Sequence, residues 1–329
     1  MRKGILIFLV INLLVVAFIL NSVWTLLSLL LQDGSDDAIH RAEIPAPNSG
    51  LIDNRPQVIP KIIHQTYINE SIPAHWRDGQ QSCIKLHDDY EYKLWTDKKS
   101  REFIATEYPW FLETFDNYRW PIQRADSIRY FVLAHYGGIY IDLDDGCNRR
   151  LDPLLSYPAW LRRTTPTGIS NDVMGAVPQH PFFLRVIDSL QTHNKNWGLP
   201  YVTVMSTTGP LFLSLLWEEY IREGAPDRVR ILMPDEYNKH AWSFFKIVRG
   251  SSWHGKDARF IFWAGRHWFF LTVCGFAIAG VVGTTLWWIV GRVFLVGGAK
   301  GYVRGPWRRP ILWRRVSQKE YELGDRHEV

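Results

Sequence analysis

Two long apolar runs, one near each end, leave this chain of 329 residues only the stretch between them for building a water-soluble fold. Residues 4–31 are apolar apart from Asn12, Asn21 and a few hydroxyls, and Trp268 to Val290 is interrupted only by small or hydroxyl residues. Each run is long enough to cross a hydrocarbon core of roughly 30 Å. The first exceeds the apolar core of a cleaved signal peptide, and no small-x-small site follows it, so an uncleaved signal anchor is expected over residues 1–31. Gly275, Ala277, Ala279, Gly280 and Gly283 give the second run the small residues on which helices pack closely in lipid. Contact with the N-terminal helix is one use of that pattern, and chance is another.

Charge predicts how the chain is threaded. Arg2-Lys3 precede the first run, and residues 291–329 carry nine Lys/Arg against four Asp/Glu. Residues 32–267 hold 27 Lys/Arg against 29 Asp/Glu, so the formal net charge of +5 belongs to the tails and not to a nucleic-acid-binding face. Basic ends and a near-neutral middle predict cytosolic termini, with the middle on the other side of the membrane. The expected plan is a stem at 32–57, an ordered domain at 58–267, a second span at 268–290 and a basic cytosolic tail at 291–329. Of three cysteines, Cys274 falls in the second run. Cys83 and Cys147 either pair or stay as free buried thiols, which spacing does not decide. Asn69-Glu70-Ser71 is a glycosylation sequon.

Within the middle, Val58–Thr66 reads as a strand, and so does Tyr90–Trp95. Arg101–Glu107 is helical, with a break at Pro109. Arg124–Tyr136 reads as an amphipathic helix whose stripe is Ala125, Ile128, Phe131/Val132 and His135; Pro121 lies before it and Gly137-Gly138 stops it. A strand at 139–143 follows, then a strand at 173–177 and helices at 181–193 and 209–223. Strands alternating with helices make an α/β domain.

The strand at 139–143 ends in Asp142-Leu143-Asp144. Alternation along a strand places both carboxylates on one side and turns Leu143 away. Two hard oxygen donors there suit a divalent cation, which in turn neutralises a diphosphate, so the pair points to transfer from a sugar nucleotide. Loop acids, helix caps and calcium ligands give the same pattern. A calcium hand needs spaced acids that Asn148-Arg149-Arg150-Leu151-Asp152 does not supply. An aspartyl-phosphate phosphatase usually has Thr or Val where Gly146 stands.

Four separated segments extend the pattern: Ile59-Pro-Lys-Ile-Ile-His-Gln-Thr66, Lys93-Leu-Trp-Thr-Asp97, Arg124-Ala-Asp-Ser-Ile-Arg129 and Gly137-Gly-Ile-Tyr-Ile-Asp-Leu-Asp144. In this order they resemble the DXD-containing glycosyltransferases of family 32, over roughly residues 58–255. The resemblance implies a GT-A-like nucleotide-sugar transferase domain, here flanked by two transmembrane helices. With the end spans, the basic tail and Gly250-Ser-Ser-Trp-His254, it narrows to the branch that moves mannose from GDP-mannose onto inositol phosphorylceramide in the Golgi. Retention of configuration and a multi-span regulatory membrane subunit are implied with it.

The same resemblance assigns residues. Asp142 and Asp144 would hold Mn²⁺ (or Mg²⁺), with His254 as third ligand and Asp142 shared with the donor's ribose. Asp126 and Arg129 would lie against the donor sugar; three apart on a helix, they are otherwise a surface ion pair. Asp172 would stand near the reacting sugar, or cap a turn. His64, Gln65, Trp95 and Asp97 would serve the nucleotide, against core and turn roles. Asp145 is a supporting or turn residue, and Thr207 and Thr208 lie near the site. The aromatics of residues 242–270 suit the bilayer interface. No side chain stands out as a covalent nucleophile, which implies front-face transfer. The alternatives are a mannosyltransferase acting on protein N-glycans and a non-catalytic membrane subunit of a transferase complex.

Overall fold

A computed structural model describes residues 2–22, 24–46, 54–164, 167–247 and 255–298. The chain divides into two units, residues 1–261 and 262–329. In chain order the elements are helices α1 (Arg2–Ser22) and α2 (Trp24–Leu31), strand β1 (Ile62–Thr66), α3 (Ala74–Leu86), β2 (Glu91–Trp95), α4 (Asp97–Glu107), α5 (Leu112–Asp116) and α6 (Pro121–Tyr136). Then come β3 (Gly138–Ile141), β4 (Asp145–Cys147), β5 (Ala159–Arg163), β6 (Ile169–Ala176), α7 (Pro181–His193), α8 (Pro200–Thr207) and α9 (Pro210–Arg222). The last are β7 (Arg230–Leu232), α10 (Pro234–Tyr237), β8 (Phe245–Ile247), α11 (Lys256–Arg266) and α12 (Trp268–Gly298).

Six strands form one mixed sheet in the order β2-β1-β3-β6-β5-β7, with β2, β1 and β3 parallel and β6 antiparallel to both its neighbours. Alternation of side chains gives the sheet two apolar faces. Tyr140, Leu161 and Met174 pack into one core, while Ile139, Ile141, Trp160 and Val173 pack into the other. Strand β1 lies between β2 and β3, so the chain leaves it in opposite directions for its two neighbours, which opens a crevice at the strands' C-terminal edge. β4 and β8 pair separately as an antiparallel ribbon.

α6 is more deeply placed than a one-striped helix. Every residue from Asp126 to Ala134 is buried, because α7 and α8 cover the faces that the sheet does not. The turn after it requires glycine. Gly137 and Gly138 both have positive φ, and a Cβ on Gly137 would stand 2.6 Å from Pro178 Cδ, while one on Gly138 would stand 2.7 Å from the Ile62 carbonyl oxygen.

Two expected boundaries shift. The first apolar run is not one straight helix: Leu9–Asn21 and Trp24–Leu31 are set at 56°. The second piece packs on α9, with Leu29 buried in the core and its carbonyl accepting a hydrogen bond from Thr167 Oγ1 at 2.6 Å. Among the described residues, one helix is by itself long and apolar enough to cross a membrane, over Trp268–Ile289. The described part of the expected stem is packed as well. Ile39 and Ile44 are buried, Ile39 N–H donates to the Ile231 carbonyl at 2.8 Å, and Arg230 pairs with Glu43 at 2.8 Å. This strap covers β7, the exposed edge of the sheet, where unpaired backbone would otherwise face water.

Cys83 and Cys147 form a disulfide between α3 and β4. Beside it Ser82 Oγ accepts the Cys147 N–H at 2.9 Å, and Gly146 lets α3 approach, since a Cβ there would lie 3.0 Å from Ser82 Oγ. The link closes a loop with a sequence separation of 64, for which chain entropy stabilises the fold by about 4 kcal/mol. Non-reducing peptide mapping is expected to recover the two cysteines linked, and Cys147→Ser to lower the thermal midpoint; free thiols at both positions would contradict the pairing.

Candidate active site

Strand β3 ends at Ile141, one residue before the acids, so strand alternation does not place them. Asp142 and Asp144 lie in a turn closed by Asp145 N–H donating to the Asp142 carbonyl at 3.0 Å. The turn is fastened to β6 by Asp142 N–H, which donates to the Asp172 carbonyl at 2.8 Å. Both acids, and Leu143 with them, line a cavity of about 390 Å³ at the C-terminal edge of the parallel strands. That volume suits a small organic ligand.

Arg129 organises the inner wall. Its Nε donates to the Ala125 carbonyl at 3.2 Å, and its NH1 to the Asn171 carbonyl at 2.6 Å and to Asp142 Oδ2 at 3.1 Å. Its NH2 pairs with Asp126 Oδ1 at 3.1 Å, and the guanidinium lies over the Tyr140 ring at 4.7 Å. Arg129 and Asp126 are both buried, so this is no surface ion pair, and burial of both charges makes each depend on the other. Asp126 also accepts from Asn171 Nδ2 at 3.0 Å and from Thr208 Oγ1 at 3.1 Å. Burial pushes its carboxyl up to about 6 despite the pull of Arg129. Asp142 Oδ1 accepts the Tyr140 hydroxyl at 2.6 Å, and burial raises this carboxyl too.

Asp144 differs. It has no hydrogen-bonded side-chain partner among the described residues, and burial, with the charges of Asp142 and Asp172, pushes it up to about 7. Among the described residues no group of three or more His, Cys, Asp and Glu that could hold a metal ion is found. His254 lies outside the described residues.

The far end of the cavity is aromatic and mixed. Tyr67, Ile68 and Trp76 line it with Asp97, the first residue of α4, whose carboxyl is raised by partial burial. Tyr67 and Trp76 meet edge to face at 5.7 Å. Neither ring was singled out from sequence; a Tyr directly after the Ile62–Thr66 strand was the available signal for the first. Asn171 and Pro210 complete the wall beside Asp126.

Three expected nucleotide residues stand behind this cavity instead of lining it. His64 is fully buried; its Nε2–H donates to the Gly137 carbonyl at 2.8 Å, and its Nδ1 accepts from Trp95 Nε1–H at 3.0 Å. Gln65 Oε1 accepts from the Tyr92 hydroxyl at 2.9 Å. Trp95 packs on Phe103 and Tyr136. Asp172 also turns away from the cavity: it pairs with Arg162, accepts from the Tyr237 hydroxyl at 3.3 Å, and has buried Asp145 nearby.

Burial holds the His64 imidazole down at about 4, so it stays neutral in the folded chain while the unfolded chain protonates near its ordinary value. Its contribution is present above about pH 6.5 and is lost as pH falls towards 4, by up to about 3 kcal/mol. Replacing His64→Gln is therefore expected to flatten the acid side of the stability profile and leave the affinity for a nucleotide unchanged; a weakened affinity with unchanged stability would contradict this placement.

Residues 73–160 match the family described as the glycosyltransferase sugar-binding region containing DXD motif. Two mannosyl phosphorylinositol ceramide synthases of Saccharomyces cerevisiae are each 52% identical to the chain, covering 84% of it and 72% and 75% of their own lengths. Inositol phosphoceramide mannosyltransferase 2 of Schizosaccharomyces pombe is 52% identical over 74% of the chain and 73% of its own length. A chain that shares half its residues with these enzymes along most of its length, and carries the acid turn at its cavity, belongs to the DXD-containing glycosyltransferases, in the branch of the inositol phosphoceramide mannosyltransferases.

Proposed function

We propose that the chain transfers mannose from GDP-mannose to inositol phosphorylceramide, in a GT-A-like domain on the lumenal side of the Golgi membrane. The relatives named above support mannose as the transferred group and a phosphoinositol ceramide as the acceptor. The observation that carries the reading is the cavity wall itself. Asp142 and Asp144 stand beside the Arg129–Asp126–Asn171 cluster at the edge where an α/β sheet receives a nucleotide.

Each end of the cavity has chemistry suited to one part of the donor. Tyr67 and Trp76 offer ring faces for a base, and Asp97 an acceptor for its polar edge. The Asp144 carboxylate, without a hydrogen-bonded side-chain partner among the described residues, fits together with Asp142 a hard divalent cation such as Mn²⁺ or Mg²⁺. Bound there, the cation would offset the charge of the departing diphosphate. Asp126, held by Asn171 and Thr208, is placed to accept from hexose hydroxyls and fix the ring. Arg129 supplies fixed positive charge between the two acids, where negative charge develops as the sugar leaves. The acceptor hydroxyl then attacks from the leaving-group side, with retention. A regulatory membrane subunit and cytosolic termini belong to the same proposal.

The test is transfer of labelled mannose by membranes carrying the wild type or Asp144→Ala, with GDP-mannose, Mn²⁺ and either inositol phosphorylceramide or a glycoprotein acceptor. The expected result is a metal-dependent mannosylated lipid, reduced about 100-fold or more in the variant. Label appearing on the glycoprotein alone would overturn the acceptor, and equal activity of the two chains would overturn the site.

A further inference from the structure

We propose that the loop at residues 195–199, with the first turns of α11, is a lipid-facing surface that seats the first unit on the bilayer. In this arrangement α8 is the strut between that surface and the catalytic cavity. The inference rests on the lipid-acceptor reading above, but none of the residues of this surface lines the cavity.

Trp197 and Leu199 are 57% and 44% exposed, and Phe260 is 61% exposed. Trp197 and Phe260 lie far apart in sequence, yet Asp257 Oδ2 accepts the Tyr201 N–H at 2.6 Å and so ties α11 to the start of α8. The loop presents its side chains from a fixed frame. Trp197 N–H donates to Thr203 Oγ1 at 3.0 Å, Gly198 N–H to Asn196 Oδ1 at 2.9 Å, and Gly198 takes the positive φ of the turn. Lys195, Lys256 and Arg259 are exposed in the same two segments. Large apolar side chains flanked by basic ones are the composition of a membrane–water interface, where rings enter the headgroup layer and cations meet anionic lipids.

A bilayer, and not a partner protein, is the occupant. Shortly after Ile261 the chain enters the apolar helix Trp268–Ile289, so this part of the first unit is covalently tied close to the membrane that such a helix would cross. The opposite end of α8 reaches the cavity. Thr207 Oγ1 accepts from Gln123 Nε2 at 2.8 Å, the Tyr130 hydroxyl donates to the Thr208 carbonyl at 2.6 Å, and Thr208 Oγ1 donates to Asp126. Eight residues of helix span about 12 Å. The headgroup layer on each side of a bilayer is roughly 5–8 Å deep. With α8 as the link, Asp126 lies within about one such helix length of that surface, within reach of a headgroup whose lipid stays in the bilayer.

The decisive experiment labels the full chain at Trp197→Cys with an environment-sensitive fluorophore, in a Cys274→Ser background, reconstituted in bilayers of phosphatidylcholine and phosphatidylserine. Quenching by spin-labelled lipids and protection from aqueous iodide is the expected result. Quenching by iodide with no effect of the lipid probe overturns the proposal, whatever the acceptor proves to be. In parallel, Trp197→Glu with Leu199→Glu should lower transfer to bilayer-borne acceptor roughly tenfold, while binding of GDP-mannose stays unchanged. Weakened GDP-mannose binding to the same extent as the loss of transfer would overturn a role confined to the surface.

Discussion

A buried guanidinium holds this site together. Arg129 sits inside the protein with two carboxylates and two backbone carbonyls as its partners, and those partners come from α6, β6 and the turn after β3. A cation taken out of water is tolerable only when fully paired, and each carboxylate depends on the cation in the same way. The burial of α6 on all its faces follows from this. A helix that carries such a charge must be sealed from solvent, and α7 and α8 do that. From the other side, α3 and its disulfide to Cys147 fix the strand that leaves the acid turn. The turn is thus clamped at both ends, and the Asp144 carboxyl has no hydrogen-bonded side-chain partner among the described residues.

Much of this was legible in sequence because it is local. The acids, the glycines that stop α6 and the alternation of elements are each visible within a few residues, and the order of four motifs carries the family. The misplaced details depend on contacts between distant segments. Strand alternation put Asp142 and Asp144 on one side, but their common orientation comes from a turn anchored to the Asp172 carbonyl. Asn171 and Asp172 are neighbours on β6 and face opposite ways, so the register of the sheet decides which of them meets the cavity. The acid faces Arg162 and the amide faces Asp126.

His64 and Trp95 show the same limit in another form. They lie on adjacent parallel strands, His64 in the middle of β1 and Trp95 at the end of β2, and they bond to each other while His64 also donates to the Gly137 carbonyl. The side chains that line the cavity beyond these strands include Tyr67, Trp76 and Asp97, and of these the sequence points only to Asp97. Trp76 belongs to α3, a helix of polar composition that is not among the elements expected from sequence. The strap at residues 33–45 was hidden for a related reason: Ile39 and Ile44 are isolated apolar residues among acids and prolines, and their burial depends on an edge strand far along the chain.

The most direct measurement is a double-mutant cycle on the thermal stability of the purified chain, using Arg129→Met, Asp126→Asn and the pair together. If the buried charges act as one unit, Arg129→Met alone costs about 3–5 kcal/mol because it strands carboxylates in the interior. Adding Asp126→Asn should then restore part of the loss, with a coupling of at least about 1 kcal/mol. Two losses that simply add would mean that Arg129 and Asp126 are not held by each other, and would contradict the account of how this site is built.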